Sequence, residues 1–211
     1  MPSARVPDAP DPADQPDRPA SGADASFQAT VDAAGRGDEQ AFAELWRRFN
    51  PALIRFLTSL AGPGDAEDLA STTWIEVVRS LPTFEGGEAG FRSWVFTIAR
   101  HRMLDLRRAQ GRRPRADVEV PESWLGDLPD PGEVVDVASG TQAALALIGG
   151  LPPDQAEVVL LRAVVGLDVS EVAAIVGKSP GAVRVLAHRG LRSLARELEG
   201  TRNGLTTWTE V

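Results

Sequence analysis

The sequence contains no cysteine, which excludes a disulfide framework, a thiolate zinc site and a thiol nucleophile. Its two histidines, His101 and His188, are too few for a histidine-rich metal site. No apolar run approaches the roughly 20 residues that a membrane-crossing helix needs. The N-terminus lacks the basic-then-apolar pattern of a secretory signal. A cytoplasmic chain with no membrane insertion, no metal and no cofactor is therefore expected. Also missing is any paired-carboxylate or nucleophile constellation. The densest carboxylates, Asp65, Glu67 and Asp68, crowd the first turn of a helix, where the helix dipole favours anions. The stretch Gly86–Gly90 (GGEAG) lacks the Gly-Lys-Ser/Thr ending of a phosphate loop. The chain does not read as an enzyme.

Charge is abundant but unevenly spread. The net charge is −8, which superficially argues against a nucleic-acid partner. Residues 1–40 hold eight acids against three arginines, and 116–136 hold seven acids and no base. Between them, Phe91–Arg115 holds eight arginines against one aspartate. Local density, not the total, makes a phosphate-binding surface.

Strand-type alternation is absent throughout, so the expected fold is all-α, with two small helical domains joined by a flexible acidic linker. Residues 1–25 are rich in Pro, Ala, Asp and Ser, and they bury too little to offset ordering entropy; this predicts a disordered extension. Over 26–110, Phe42, Leu45, Trp46, Phe49, Leu53, Ile54, Leu57 and Leu60 recur at three- and four-residue steps, predicting a broad buried stripe. Pro51 lies inside that run, so a kink or break is expected near Asn50. Gly62-Pro63-Gly64 ends it. A second helix runs from about Asp65 to Leu81. Trp74 and Val78 lie on a face partly different from that of Leu69 and Thr73, and the spacing fits a docking face and a core position equally. A loop spans Pro82–Gly90. An arginine- and aromatic-rich helix follows from Phe91 to about Arg108, a composition suited to single strands because rings stack on bases while arginines take phosphates. Residues 111–140 read as linker, 141–199 as a second helical domain, and 200–211 as a fraying tail in which Trp208 is the candidate for a contact.

Within the second domain, Asp168–Arg196 (DVSEVAAIVGKSPGAVRVLAHRGLRSLAR) reads as two helices joined by a tight turn. Gly177 ends the first helix at a position that needs positive φ. Ser179 caps the second and Pro180 occupies its first turn. From Lys178 to Arg196 there are five Lys/Arg and no acid. A short helix, a glycine turn and a capped basic helix form the signature of a helix-turn-helix, whose second helix enters the DNA major groove. An ordinary helical hairpin with a solvated basic face shares this pattern.

Two longer segments carry a family resemblance. Asp65–Arg108 (DAEDLASTTWIEVVRSLPTFEGGEAGFRSWVFTIARHRMLDLRR) resembles region 2 of the extracytoplasmic-function, or group IV, sigma factors of bacterial RNA polymerase. Leu151–Leu194 resembles their region 4, in the family's order. The resemblance implies that Asp65, Asp68, Leu69, Thr73, Trp74 and Val77 dock on the clamp helices of the polymerase β′ subunit. It implies that the Phe84–Phe91 loop captures a base flipped out of the −10 element, and that Arg92, Arg100, His101, Arg107 and Arg108 hold the non-template strand. Melting then needs no ATP, because unstacking is offset by pocket contacts and phosphate pairing. Ser179, Gly181, Ala182, Arg184, Val185 and His188 are implied to face the −35 major groove, and Arg189 and Arg192 to take phosphates. The β flap of polymerase, promoter DNA and an anti-sigma factor are the implied partners. His101 stands where the family commonly has Asn, and Leu186 where it usually has Arg or another polar residue. The rival reading is a stand-alone helix-turn-helix regulator that dimerises through 26–110 and binds duplex DNA without polymerase.

Overall fold

The computed structural model describes residues 22–111 and 137–206, and among these every regular element is helical. The expectations for residues 1–21, for the acidic segment 112–136 and for Trp208 lie outside the described residues.

Helix α1 spans Gly22–Gly35, so ordered helix begins ahead of the expected boundary at 26. Asp24 sits in its first turn, and Phe27 and Val31 are buried. Helix α2 runs unbroken over Glu39–Ala61, capped by the Asp38 side chain, which accepts from the N–H groups of Gln40 and Ala41. Of the kink or break expected near Asn50, the break does not occur. Proline inside a helix costs about 3 kcal/mol, but Leu45, Phe49, Leu53, Phe56 and Leu57 are buried on both sides of it. Tertiary packing of that stripe outweighs the lost hydrogen bond. One member of the expected stripe is misplaced: Trp46 is 45% exposed.

Gly62, with φ of 87°, turns the chain directly into α3, Pro63–Ser80. A 3₁₀ turn, Leu81–Thr83, and a short loop lead to α4, Glu88–Gly111. Phe27, Phe49, Phe84, Phe91 and Trp94 form one aromatic cluster with ring centroids 5.0–6.1 Å apart, which ties α1, α2, the loop and α4 together. Beneath α3 and α4, the buried Glu76 carboxylate is met by Arg102 at 2.8 Å. That pairing offsets the cost of placing a charge there.

The second unit comprises α5 (Val137–Gly149), α6 (Pro153–Val159), α7 (Val169–Val176) and α8 (Pro180–Thr206). α6 passes into a π-helical turn, Leu160–Val164, where the Val165 N–H donates to the Leu160 carbonyl. Asp168 and Glu171 form a reciprocal capping box at the start of α7. Gly177 ends α7 in the left-handed conformation, with φ of 66°. The Ser179 hydroxyl then accepts from the Ala182 N–H at 3.2 Å, capping α8 as expected. α8 continues to Thr206, past the predicted end at 199.

Where α8 crosses α6, Gly190 permits a close approach. A Cβ on Gly190 would lie 2.7 Å from Cγ2 of Val159 and 3.4 Å from Cδ1 of Leu151. Overpacking of this kind costs about 1–3 kcal/mol. Gly190→Val is therefore expected to lower the urea midpoint of the full chain. An unchanged midpoint would show that this crossing has slack.

The sequence suggests two separate domains, but the structure packs them against each other. The end of α5 abuts α2: a Cβ on Gly149 would sit 3.1 Å from the Ser59 carbonyl oxygen. Buried Phe96 of α4 and Val165 flank a cleft between the units, together with Arg48, Phe49, Glu88 and Arg92.

Candidate nucleic-acid and polymerase surfaces

Three surfaces are relevant, and each is built on a different helix. The first is α8. Its position is set by burial of Val183, with Leu186, Ala187 and Leu194 packed at the core's edge. The core role of Leu186 accounts for an apolar residue at that position. Ser179, Gly181, Arg184, Val185, His188, Arg189 and Arg192 are exposed, and Ala182 is half-buried. The expected DNA face is thus presented as one continuous surface, with Val185 49% exposed where it could meet a thymine methyl.

The second surface is α3, where the structure encloses four of the six expected residues. Leu69, Thr73, Trp74 and Val77 are all buried. The Thr73 hydroxyl is spent on the Leu69 carbonyl at 2.7 Å. The Trp74 indole N–H donates to Oδ1 of Asn50 at 2.9 Å, and its ring meets Phe42 edge-on. Side chains so enclosed have almost no area to offer a partner. Asp68 is exposed, while Asp65 is half-buried and accepts from Gln110 at 3.1 Å. The apolar surface that remains uncovered lies one residue over, at Ile75 (51% exposed) and Val78 (48%), with Trp46 on neighbouring α2. Ile75 and Val78 share a helical face with Asp68, Ser71, Thr72 and Arg79, at three- and four-residue spacing.

The third surface is α4 with the preceding loop. Phe84 and Phe91, expected to touch DNA, are core: Phe84 is 3% exposed and Phe91 is fully enclosed. Over Pro82–Gly90 the exposed positions are Pro82, Thr83, Glu85 and Ala89 instead. The basic residues split into two groups. His101, Arg107 and Arg108 are exposed, although Arg107 also donates to the Leu60 carbonyl at 2.6 Å and Arg108 pairs with Asp105 at 2.9 Å. Partial burial, with the charge of Arg100 beside it, lowers the pKa of His101.

Arg92, Phe96 and Arg100 fall on a stripe that faces the second unit. Nε of Arg100 donates to Oε1 of Glu157 on α6 at 2.8 Å, with only 18% of the arginine side chain exposed. Arg92 pairs with Glu88 at 2.8 Å, and its charge reaches Glu171 on α7, whose own pKa burial pushes up. In this structure the part of the basic helix that holds Arg92 and Arg100 is therefore covered by carboxylates, not presented. Nothing local in the sequence signals this, because Glu157 and Arg100 are 57 residues apart.

A helix-turn-helix and an arginine-rich helix mounted on a separate bundle define a two-part DNA-binding protein. Residues 45–113 match Sigma-70 region 2, and residues 141–194 match Sigma-70, region 4. The chain is 37% identical over 176 residues to the ECF RNA polymerase sigma factor ShbA of Streptomyces griseus, covering 79% of this chain and 92% of that relative. Its fold resembles CnrH in complex with the cytosolic domain of CnrY, with a TM-score of 0.57, 26% identity, and 83% and 98% of the two chains covered. It also resembles the sigma factor RpoE of Bartonella quintana, solved with the anti-sigma factor NepR, with a TM-score of 0.58, 24% identity, and 75% and 96% covered. The chain belongs to the extracytoplasmic-function sigma factors of the sigma-70 family and is an RNA polymerase sigma factor. Among the described residues, no helix is long and apolar enough to cross a membrane.

Proposed function

We propose that the chain works in the cytoplasm and divides promoter recognition among these three surfaces. The exposed α3 face, with Asp68, Thr72, Ile75 and Val78 beside Trp46, docks on the β′ clamp helices, while Leu69, Thr73, Trp74 and Val77 shape it from beneath. The second unit also contacts the β flap. The 83–87 loop captures a flipped −10 base, and Arg92, Arg100, His101, Arg107 and Arg108 hold the displaced strand. On α8, Ser179, Gly181, Ala182, Arg184, Val185 and His188 read the −35 element while Arg189 and Arg192 take phosphates. The observation that carries this reading is the uninterrupted exposed basic face of α8, set by the two caps at Gly177 and Ser179.

The packed arrangement cannot engage both promoter elements together. Elements about 25 base pairs apart lie ~85 Å apart along the duplex, whereas here an ion pair joins the two units. The units must separate on the promoter, which frees Arg92 and Arg100 for phosphates. Residues 112–136 are numerous enough to bridge such a gap, since a fully extended chain reaches up to ~3.6 Å per residue. An anti-sigma factor, the class of partner with which a structural relative was solved, would act by holding the units together or covering the α3 face.

Run-off transcription with core polymerase and fragmented genomic DNA tests the reading. Discrete protein-dependent 5′ ends that share −35 and −10 elements are expected. Specific duplex binding without polymerase, and no such starts, would point to the stand-alone regulator. In the same assay Arg184→Ala should relax base preference at the −35 element, since a bidentate base contact discriminates by about 1–3 kcal/mol. An unchanged preference across base substitutions would remove Arg184 from the reading face.

A further inference from the structure

Helix α1 precedes the segment matched to region 2, which starts at residue 45. It nevertheless holds the 83–87 loop from behind. The Gln28 side-chain amide clamps the loop backbone at two points. Its Oε1 accepts from the Gly86 N–H at 3.1 Å, and its Nε2 donates to the Phe84 carbonyl at 3.3 Å. The same amide nitrogen donates to Asp32 at 2.7 Å, which fixes the amide's orientation from within α1. One turn earlier, Asp24 fills the space behind Gly87 so closely that a Cβ there would lie 2.5 Å from its carboxylate oxygen. From inside, the Phe84 ring is locked against Phe91 and Trp94 at 5.2 and 5.0 Å. Gly86, with φ of 151°, lies over that ring, so a Cβ would sit 3.2 Å from Cζ of Phe84.

We propose that Gln28 is a positioning residue for −10 recognition: its two hydrogen bonds set the height and orientation of the loop edge from Thr83 to Gly87, and so the base that the loop accepts. The inference rests on the base-capture role proposed above. A flipped base is selected by hydrogen bonds of fixed geometry, which a loop free to shift by an ångström cannot supply. Gln28 does not itself touch the base, because both ends of its amide are spent on the loop backbone. The clamp is separable from the fold, since the Phe84 ring anchors the loop independently.

The test uses the full chain with core polymerase in run-off transcription. Templates carry each of the four bases at every −10 position of a mapped promoter. Gln28→Met keeps the side chain's length and removes both hydrogen bonds. Gln28→Glu keeps the acceptor toward Gly86 and sets a carboxylate against the Phe84 carbonyl. Both variants are expected to reduce discrimination between the best and worst base by about ten-fold at one −10 position. Discrimination at the −35 element should be unchanged, and the melting temperature should stay within a few degrees of the parent's. On a template with an abasic site at that position, variants and parent should transcribe equally, because no base is left to select.

Parental discrimination retained by both variants would overturn the positioning role. Discrimination lost equally at the −10 and −35 elements would also overturn it, because that is the signature of general destabilisation. If the parent itself discriminates at no −10 position, the base-capture reading fails and the proposal falls with it. That result differs from the first because it appears before any substitution is made.

Discussion

Replacing Trp74 by Ala is expected to unfold the first unit and not merely to weaken polymerase binding. Truncating an enclosed tryptophan costs about 3–5 kcal/mol through lost burial and the cavity left behind. Asn50 would also lose its indole donor and Phe42 its ring partner, and losing a part-buried hydrogen bond adds about 0.5–1.5 kcal/mol. Domains of this size are stable by only about 5–15 kcal/mol. Circular dichroism during urea unfolding should show a large fall in midpoint. Ile75→Asp provides the contrast. It alters a half-exposed side chain, so stability should move by about 0.5 kcal/mol or less, while co-purification with core polymerase should fall sharply. A Trp74→Ala protein that kept its midpoint but lost polymerase would reverse this assignment and return Trp74 to the docking face.

Glu157→Gln is expected to strengthen binding of the free protein to a single-stranded −10 oligonucleotide. In the packed structure a phosphate must displace the Glu157 carboxylate from Arg100, a charge-assisted contact in a site largely shielded from water. Neutralising Glu157 leaves Arg100 uncompensated at the interface, which costs several kcal/mol if the interface stays closed and is relieved by opening. Affinity should rise several-fold in fluorescence anisotropy. The more specific signature is the salt dependence. Each arginine freed to neutralise a phosphate steepens the plot of log affinity against log salt by about 0.7 on a single strand. Adding Glu171→Gln, which removes the α7 carboxylate whose charge acts on Arg92 from the second unit, should steepen it further. An unchanged slope in both variants would mean that Arg100 is already available to DNA in solution.

The two predictions mark where local sequence information ends. Signals carried by neighbouring residues were readable directly. Gly177, Ser179 and Pro180 specify the turn between α7 and α8 through positive φ, a side-chain cap and a missing donor, and each acts within four residues. The all-helical class followed from period-3.6 patterning, and the exposed basic face of α8 followed from the apolar positions opposite it. The two-domain family resemblance likewise rested on contiguous segments.

Where two local rules conflicted, or where both partners were remote, only the tertiary structure decided. Pro51 should break α2 by local rules, yet burial of its neighbours keeps the helix whole. On α3, Trp74 and Ile75 are adjacent residues of similar hydrophobicity. Which of them is covered depends on where α2 lies, and Phe42 and Asn50 of α2, more than 20 positions away, meet Trp74. Gln28 looks like an ordinary solvated helix residue until the fold brings the loop backbone to it. Arg100 reads as a free cation until α6 delivers Glu157 to it. Periodicity shows that a side chain has a face, but only packing determines what that face meets, because burial and ion pairing are properties of two surfaces and a sequence window contains one.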